Sequence, residues 1–277
     1  MKIAQLAINS VSTRQSSLEE ALAAYAAAGF RNVEFVIPQI KEYLSQGHTL
    51  ADFANLLDRY GLRCIGGFES ILEAFSPPEQ RAANHALIAE NARLLGDLGG
   101  TALVVGTDGP PDVAAVPDVV GVLAATFADV AARILDTGVT LCIEFNWSPV
   151  VKSVRTAVEI ARRCGAPNVG VVFDAAHYHC TPSKFEHLTG ESIPFIRHVH
   201  VDDMRDKPGE LSDCNSDRVL PGRGCLDLAA LFGQLDRHGY SGYYSIELFN
   251  DELWAMPAAQ AARLMYESLL PYCEDAP

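Results

Sequence analysis

A chain of 277 residues is long enough for one large α/β barrel or for two small domains. Hydrophobic residues make up 49% of it and charged residues 20%, which is ordinary for a globular protein with a large core. No apolar stretch approaches the roughly 18 residues that cross a bilayer, and the N-terminal segment lacks the apolar region of a secretory signal. The net charge of -14 repels phosphodiester backbones. We therefore expect neither a membrane nor a nucleic acid as a partner.

The seven cysteines are scattered along the chain, and no two of them have CxxC spacing. This pattern argues against a disulfide framework and against a thiolate zinc site. It favours a reducing compartment, so we expect a cytoplasmic protein.

One unit repeats along the chain: a helical segment, then a glycine, then a β-rich run. Glycine is the residue that best adopts the left-handed conformation just past a helix C-terminus. The glycines at this place are Gly29, Gly61, Gly138, Gly165 and Gly239. Two helix starts carry capping-box spacing, at Ser17–Glu20 and at Thr49–Asp52.

In chain order these units give eight strands and eight helices. The predicted strands cover residues 3–7, 33–37, 63–67, 102–106, 140–145, 169–173, 196–201 and 243–247. The predicted helices cover residues 17–28, 49–60, 79–98, 118–137, 153–164, 185–192, 226–238 and 257–272. Eight alternating pairs over about 250 residues predict a (β/α)₈ barrel, with residues 1–277 as a single domain. A doubly wound open sheet is the rival, but the GxGxxG and Walker-type loops typical of it are absent from the sequence.

Four apolar runs in the second half carry residues that can bind a metal. The runs are VTLCIE with Glu144, VGVVFD with Asp174, IRHVHV with His200 and YYSIEL with Glu247. Unpaired carboxylates are costly to bury, and no cationic residue lies within two positions of the three acids. The C-terminal ends of adjacent barrel strands lie side by side and form the active-site face. Three carboxylates and one imidazole there predict a divalent metal site, for which Mn²⁺, Zn²⁺, Co²⁺ or Mg²⁺ is suitable.

Residues near these strand ends could contact a small molecule. His177 follows Asp174 by one helical turn, where it could face a substrate hydroxyl. Arg218 and Arg223 lie in the long segment 202–225 and offer fixed hydrogen-bond donors, with a plain surface position as the alternative for each. Trp147, just beyond the fifth strand, could face the apolar side of a sugar ring or simply pack.

The sequence does not decide the roles of four further polar residues. His198 shares strand parity with His200, so it should point into the barrel one layer below, as a hydrogen-bond partner or as a packed core histidine. The role of His179 stays open. Glu34 and Glu69 end the second and third strands without neighbours of the same kind, and we leave them unassigned.

These motifs together resemble the sugar isomerase/epimerase family, whose fold is the xylose-isomerase-like TIM barrel. The segments that carry the resemblance are LCIEF, NVGVVFDAAHYH, HVDD through SDRVLPGRGCLDL, and SIELFNDELW. It is strong only from about residue 139 onward. It implies Glu144, Asp174, His200 and Glu247 as metal ligands, with His177 and Arg218 as substrate contacts. Many relatives carry a lysine two residues after the strand-7 histidine. This chain has Asp202 there, which argues against a standard ketohexose 3-epimerase and for the branch acting on inososes.

The resemblance implies a metal-dependent isomerase of ketopolyols such as inososes, within inositol catabolism. Proton transfer would pass through an enediolate stabilised by the metal, with Glu144 and Glu247 exchanging the proton between neighbouring carbons. A ketose 3-epimerase, a hydroxypyruvate isomerase or a 3-dehydroshikimate-type dehydratase could use the same site.

The sequence gives less support to other classes of protein. A barrel endonuclease for abasic DNA would need more histidines at the strand ends, and four intact ligands speak against a non-catalytic binder. A homo-oligomer stays open, because the alanine-rich segments 21–28 and 124–132 could pack on the barrel or on another subunit.

Overall fold

The structure, a computed structural model, describes residues 1–146 and 148–276, and it contains a closed barrel of eight parallel strands. The barrel strands are β1 (Leu6–Asn9), β2 (Asn32–Val36), β3 (Arg63–Leu72), β4 (Ala102–Thr107), β5 (Thr140–Glu144), β6 (Val169–Asp174), β7 (Ile196–Val201) and β10 (Tyr244–Ile246). Their order around the barrel is β1-β10-β7-β6-β5-β4-β3-β2. Two short strands, β8 (Asp203–Met204) and β9 (Arg218–Val219), form a separate antiparallel ribbon. The predicted (β/α)₈ barrel is confirmed.

Helices alternate with the barrel strands. They are α1 (Leu18–Ala28), α2 (Ile37–Ser45), α3 (Leu50–Tyr60), α4 (Pro78–Asp97), α5 (Val119–Arg133), α6 (Val154–Cys164), α7 (Ala175–Cys180), α8 (Leu228–Arg237), α9 (Asp251–Trp254) and α10 (Ala258–Leu269). The helix starts and ends follow the sequence signals. Ser17 and Thr49 each form the expected capping box, and the five glycines named above all have positive φ. Among the described residues, no helix is long and apolar enough to cross a membrane.

The helix predicted over residues 185–192 is wrong. That segment contains only the 3₁₀ turn Phe185–His187, and a second 3₁₀ turn, Ile193–Phe195, follows it. Side-chain hydrogen bonds compete with the helix here, because the Ser192 hydroxyl donates to the His187 carbonyl and accepts from the Thr189 amide. The helix after β6 is instead α7, which begins directly after Asp174 because that carboxylate accepts the amide of His177 at 2.7 Å.

The first strand also begins later than predicted. Residues Ile3–Gln5 form a 3₁₀ turn, and β1 runs over Leu6–Asn9 instead of 3–7. Pairing explains the shift, since Leu6 to Ile8 align with Tyr244 to Ile246 of β10. The later start places Asn9 at the C-terminal rim of the barrel.

The core explains why the strands are so apolar. Every residue of β4 and of β6 is buried, as expected for parallel strands covered by helices on one side and by the barrel interior on the other. The polar residues at the C-terminal ends therefore meet at one rim.

Candidate active site

The C-terminal rim brings the four predicted metal ligands together. Asp174 at the end of β6 is aligned with His200 of β7, and Glu247 directly follows β10. His200 Nδ1 lies 3.4 Å from Asp174 Oδ2 and 3.2 Å from Glu247 Oε2. Donor atoms of Glu144, Asp174 and His200 all lie within 4.8 Å of one another. One cation could therefore reach all three.

Two orphaned atoms test whether this cluster fits a metal. Asp174 and His200 are fully buried, yet Asp174 Oδ2 and His200 Nδ1 have no hydrogen-bond partner among the described residues. The other carboxylate oxygen of Asp174 already accepts the amide of His177. Buried polar atoms are rarely left unpaired. A hard oxygen and an imidazole nitrogen aimed at each other suit a divalent cation.

An asparagine orients each of the glutamates Glu144 and Glu247, and the sequence analysis identified neither asparagine. Asn146 Nδ2 donates to Glu144 Oε2 at 2.7 Å, and Asn9 Nδ2 donates to Glu247 Oε1 at 3.0 Å. Both asparagines stand at or just beyond a strand end, which is the signal that could have identified them. Each glutamate keeps its second oxygen directed at the ligand cluster.

Arg218 is part of the same cluster. Its side chain is fully buried, and Nη1 donates to Glu247 Oε2 and to Asp202 Oδ2, both at 2.8 Å. Nη2 lies 3.1 Å from Asp174 Oδ2, as an ion pair without hydrogen-bond geometry. The guanidinium thus neutralises two ligands and a third buried acid. It also lines the cavity, so its role as a substrate contact stays a prediction.

Asp203 organises the loop that carries Arg218. The segment between β8 and α8 folds back around this carboxylate, which accepts the amides of Gly222, Gly224 and Leu226. The ribbon that pairs Met204 with Arg218 then directs the arginine inward.

His177 also lies at the ligand cluster. Its Nε2 is 3.4 Å from Glu144 Oε1, and the side chain borders the cavity. Its Nδ1 is buried without a hydrogen-bond partner. This position agrees with the predicted substrate contact, which stays a prediction.

Glu34 is the most informative residue that the sequence left unassigned. It is fully buried, and its two oxygens lie 3.0 and 3.1 Å from Nε2 of His200. Oε2 also lies 3.0 Å from Nε2 of His198. A buried acid near the end of a strand was the available signal, but β2 is far from β7 in sequence.

The charges of the site shift several pKa values. Burial alone would raise the pKa of Asp174, but Arg218 and the neighbouring histidines hold it well below its usual range. Burial, reinforced by the charge of Asp174, raises the pKa of Asp202 well above its usual value. Burial opposes protonation of His200, yet Glu247 and Glu34 raise its pKa well above its usual value. A cation entering the site must therefore displace a proton from His200.

A cavity of 620 Å³ opens above the ligands. Phe68 and Phe249 contribute apolar surface to its wall. Its polar lining includes Glu69, Ser70, Thr107, Glu144, Asn146, Ser148, His177, His200, Asp213, Asn215, Arg218 and Glu247. The size is in the range of small-molecule binding sites.

Two other candidate residues, His179 and Arg223, do not join the described site. Trp147 lies outside the described residues. Nε2 of His179 is bonded to the Lys207 carbonyl, and Arg223 is exposed in the turn around Asp203. Neither His179 nor Arg223 lines the cavity.

With the geometry in place, comparison with known proteins gives the family. The model of the xylose isomerase-like TIM barrel family matches residues 22–269. The chain belongs to this family, as its motifs predicted.

Individual proteins with similar sequences include two kinds of enzyme. An inosose isomerase from Halalkalibacterium halodurans is 36% identical over 129 residues, which is 46% of this chain and 45% of that protein. The match thus spans slightly less than half of that relative. A 3-dehydroshikimate dehydratase from Pseudomonas aeruginosa is 28% identical over 94% of this chain and 40% of its own length. Both names are those of enzymes, in line with the expected enzyme class.

Among solved structures, the fold is similar to a crystal structure of the IolI protein with a bound zinc atom. The TM-score is 0.86 at 23% identity, covering 98% of this chain and 99% of that one.

Proposed function

We propose that this chain is a divalent-metal-dependent isomerase of neutral cyclic ketopolyols of the inosose type, with residues 1–277 acting as one domain. One observation carries the proposal: an unpartnered carboxylate oxygen of Asp174 and an unpartnered imidazole nitrogen of His200 lie 3.4 Å apart, next to the cavity that Glu144, His200 and Glu247 line. The match to inosose isomerases supports the choice of substrate.

Glu144, Asp174, His200 and Glu247 would hold the cation. When bound, a divalent metal supplies Lewis acidity at a carbonyl oxygen. The three carboxylates and one imidazole suit Mn²⁺, Zn²⁺, Co²⁺ or Mg²⁺.

The reaction moves a carbonyl group to the neighbouring carbon of the ring. The C–H and O–H bonds at the hydroxyl-bearing carbon break, and the old carbonyl group gains one hydrogen on carbon and one proton on oxygen, so oxidation and reduction balance within the substrate. Glu144 has a side chain 21% exposed, against 5% for Glu247. We assign Glu144 Oε1 to proton removal and Glu247 to proton return, since the more open carboxylate has better access to the substrate. His177, beside Glu144 Oε1, can hold a hydrogen bond to a substrate hydroxyl.

The charge of the cavity favours a neutral substrate. Its described lining holds the carboxylates of Glu144, Asp213 and Glu247 and the guanidinium of Arg218, while Glu69 in the same lining is paired with Lys41 at 2.6 Å. That guanidinium is already paired with three acids. The carboxylates of the lining would repel a substrate carboxylate, because like charges repel.

A 3-dehydroshikimate-type dehydratase is the second candidate, because that relative aligns with 94% of the chain. It would begin with the same proton abstraction next to a carbonyl. Its substrate carries a carboxylate, however, as does hydroxypyruvate. The acidic lining therefore favours a neutral inosose over both substrates that carry a carboxylate.

The test combines metal analysis with NMR. The purified protein is loaded with each candidate metal and incubated in D₂O with 2-keto-myo-inositol, 3-dehydroshikimate or hydroxypyruvate. We expect one equivalent of metal, isomerised inosose, and deuterium at the carbon next to the ketone. Turnover of 3-dehydroshikimate alone would support the dehydratase instead. Absence of metal after reconstitution would refute both proposals.

A further inference from the structure

Glu34 connects opposite parts of the barrel beneath the candidate metal site. It lies in β2, and β1 and β10 separate that strand from β7, which carries His198 and His200. All three side chains are at most 1% exposed. A carboxylate without solvent must obtain its hydrogen bonds from the groups it touches. Here the hydrogen-bonding group is the imidazole of His200, and the imidazole of His198 lies nearby without hydrogen-bond geometry.

The geometry distinguishes the two nitrogens of His200. Nε2 faces only the carboxylate of Glu34, at 3.0 and 3.1 Å. Nδ1 faces Asp174 and Glu247 at the ligand cluster. An ionised carboxylate only accepts hydrogen bonds, so the proton of a neutral imidazole beside it belongs on Nε2. The lone pair of Nδ1 is then directed at the metal site.

We propose that Glu34 is a positioning residue for the metal ligand His200. It fixes the tautomer and the ring orientation, and its charge makes Nδ1 a stronger donor. Nε2 of His198 lies 3.0 Å from Oε2 of Glu34 without hydrogen-bond geometry, so a second imidazole borders the carboxylate. The inference rests on the proposed metal site, and partners of this kind typically change metal affinity about 10- to 100-fold.

The same three residues could in principle be a second cation site, since their donor atoms cluster. The cluster is closed, however: Nε2 of His200 cannot bind a metal while it donates to Glu34. A stoichiometry of one metal per chain follows from the positioning role.

The experiment measures metal affinity rather than activity. The wild type, Glu34→Gln and the control Glu159→Gln are stripped of metal, and Zn²⁺ binding is measured by competition with a chromophoric chelator. Glu159 is a half-exposed residue of α6 paired with Arg162, so its variant loses the same charge far from the site. Co²⁺ absorption spectra report ligand geometry in each protein.

We expect wild type and Glu159→Gln to bind one metal with equal affinity. Glu34→Gln should bind one metal about 10- to 100-fold more weakly, with a changed Co²⁺ spectrum. Equal affinity in Glu34→Gln would overturn the positioning role while leaving the proposed function intact. Two metals per wild-type chain would also overturn it. No metal in the wild type would instead refute the proposed function.

A measurement on the wild type decides the matter if Glu34→Gln does not fold. In ¹⁵N-histidine-labelled protein loaded with Zn²⁺, the metal-bound imidazole is the one whose signals change on loading. We expect its proton on Nε2 and its metal on Nδ1. A proton on Nδ1, or metal on Nε2, would contradict the proposal.

Discussion

Replacing Arg218 by methionine should destabilise the metal-free protein strongly. The guanidinium is fully buried and pairs with Asp174, Asp202 and Glu247, and its Nε donates to the Cys214 carbonyl at 2.7 Å. Methionine has a similar length but no charge. Three carboxylates would then share a small volume without a neighbouring arginine.

The magnitude follows from the burial of the network. Removing one partner of a buried ion pair costs about 3–5 kcal/mol, because the remaining charge is uncompensated. Domains are stable by only about 5–15 kcal/mol, so Arg218→Met should lose a large share of the free energy of unfolding. Metal should restore part of this loss. A cation at 100 times its dissociation constant adds about 2.7 kcal/mol.

The loss should also shrink at lower pH. Asp202 already has a pKa raised above 3.8 by burial and by the charge of Asp174. An acid with a raised pKa binds more protons in the folded state than in the unfolded one, so stability gains as pH falls toward 3.8. Without Arg218 this gain should increase, because the loss of a neighbouring positive charge raises carboxylate pKa values further.

Urea denaturation of chelator-treated protein at about pH 7 and about pH 5 measures these effects. The control is Arg163→Met, which removes an exposed arginine that pairs with Asp118 and should cost far less, because solvent screens exposed ion pairs. A loss for Arg218→Met as small as for the control would refute the reasoning. So would a loss that metal and pH leave unchanged.

Three further predictions concern the metal and the glutamates. Glu144→Gln and Glu247→Gln should each lower kcat by about 10²- to 10⁴-fold in a folded protein; near wild-type kcat in either would exclude that residue as a proton carrier. Asp174→Asn should mainly weaken metal retention, and unchanged metal content by elemental analysis would contradict its role as a ligand. Because the pKa of His200 is raised above its ordinary value of 6.5, binding should release a proton, so apparent metal affinity should rise with pH above that value. Calorimetry in buffers of different protonation enthalpy measures that proton, and zero release would contradict this explanation.

The barrel was predictable from local signals. The capping boxes at Ser17 and Thr49 and the glycines with positive φ mark helix ends through hydrogen bonds within a few residues. The helix predicted over residues 185–192 was wrong because local hydrogen bonds there oppose a helix. Its apolar pattern suggested a helix, but the hydroxyls of Thr189 and Ser192 bind the backbone instead.

The meeting of the four candidate ligands was predictable because each is a polar residue at the end of an apolar strand, and barrel topology places strand ends at one rim. The residues that hydrogen-bond to these candidate ligands could not be predicted from the sequence. Asn9 is 238 positions from Glu247, and Glu34 is 166 positions from His200. Nothing in a local window relates them.

The sequence by itself therefore determined the barrel, its rim and the residue types offered to a metal, since these depend on short-range periodicity and strand order. The tertiary structure decided which nitrogen of His200 faces the ligands, which acids Arg218 neutralises and how acidic the cavity is. Those properties depend on distances across the barrel interior, where a shift of one ångström changes a hydrogen bond, and strand patterns do not encode them.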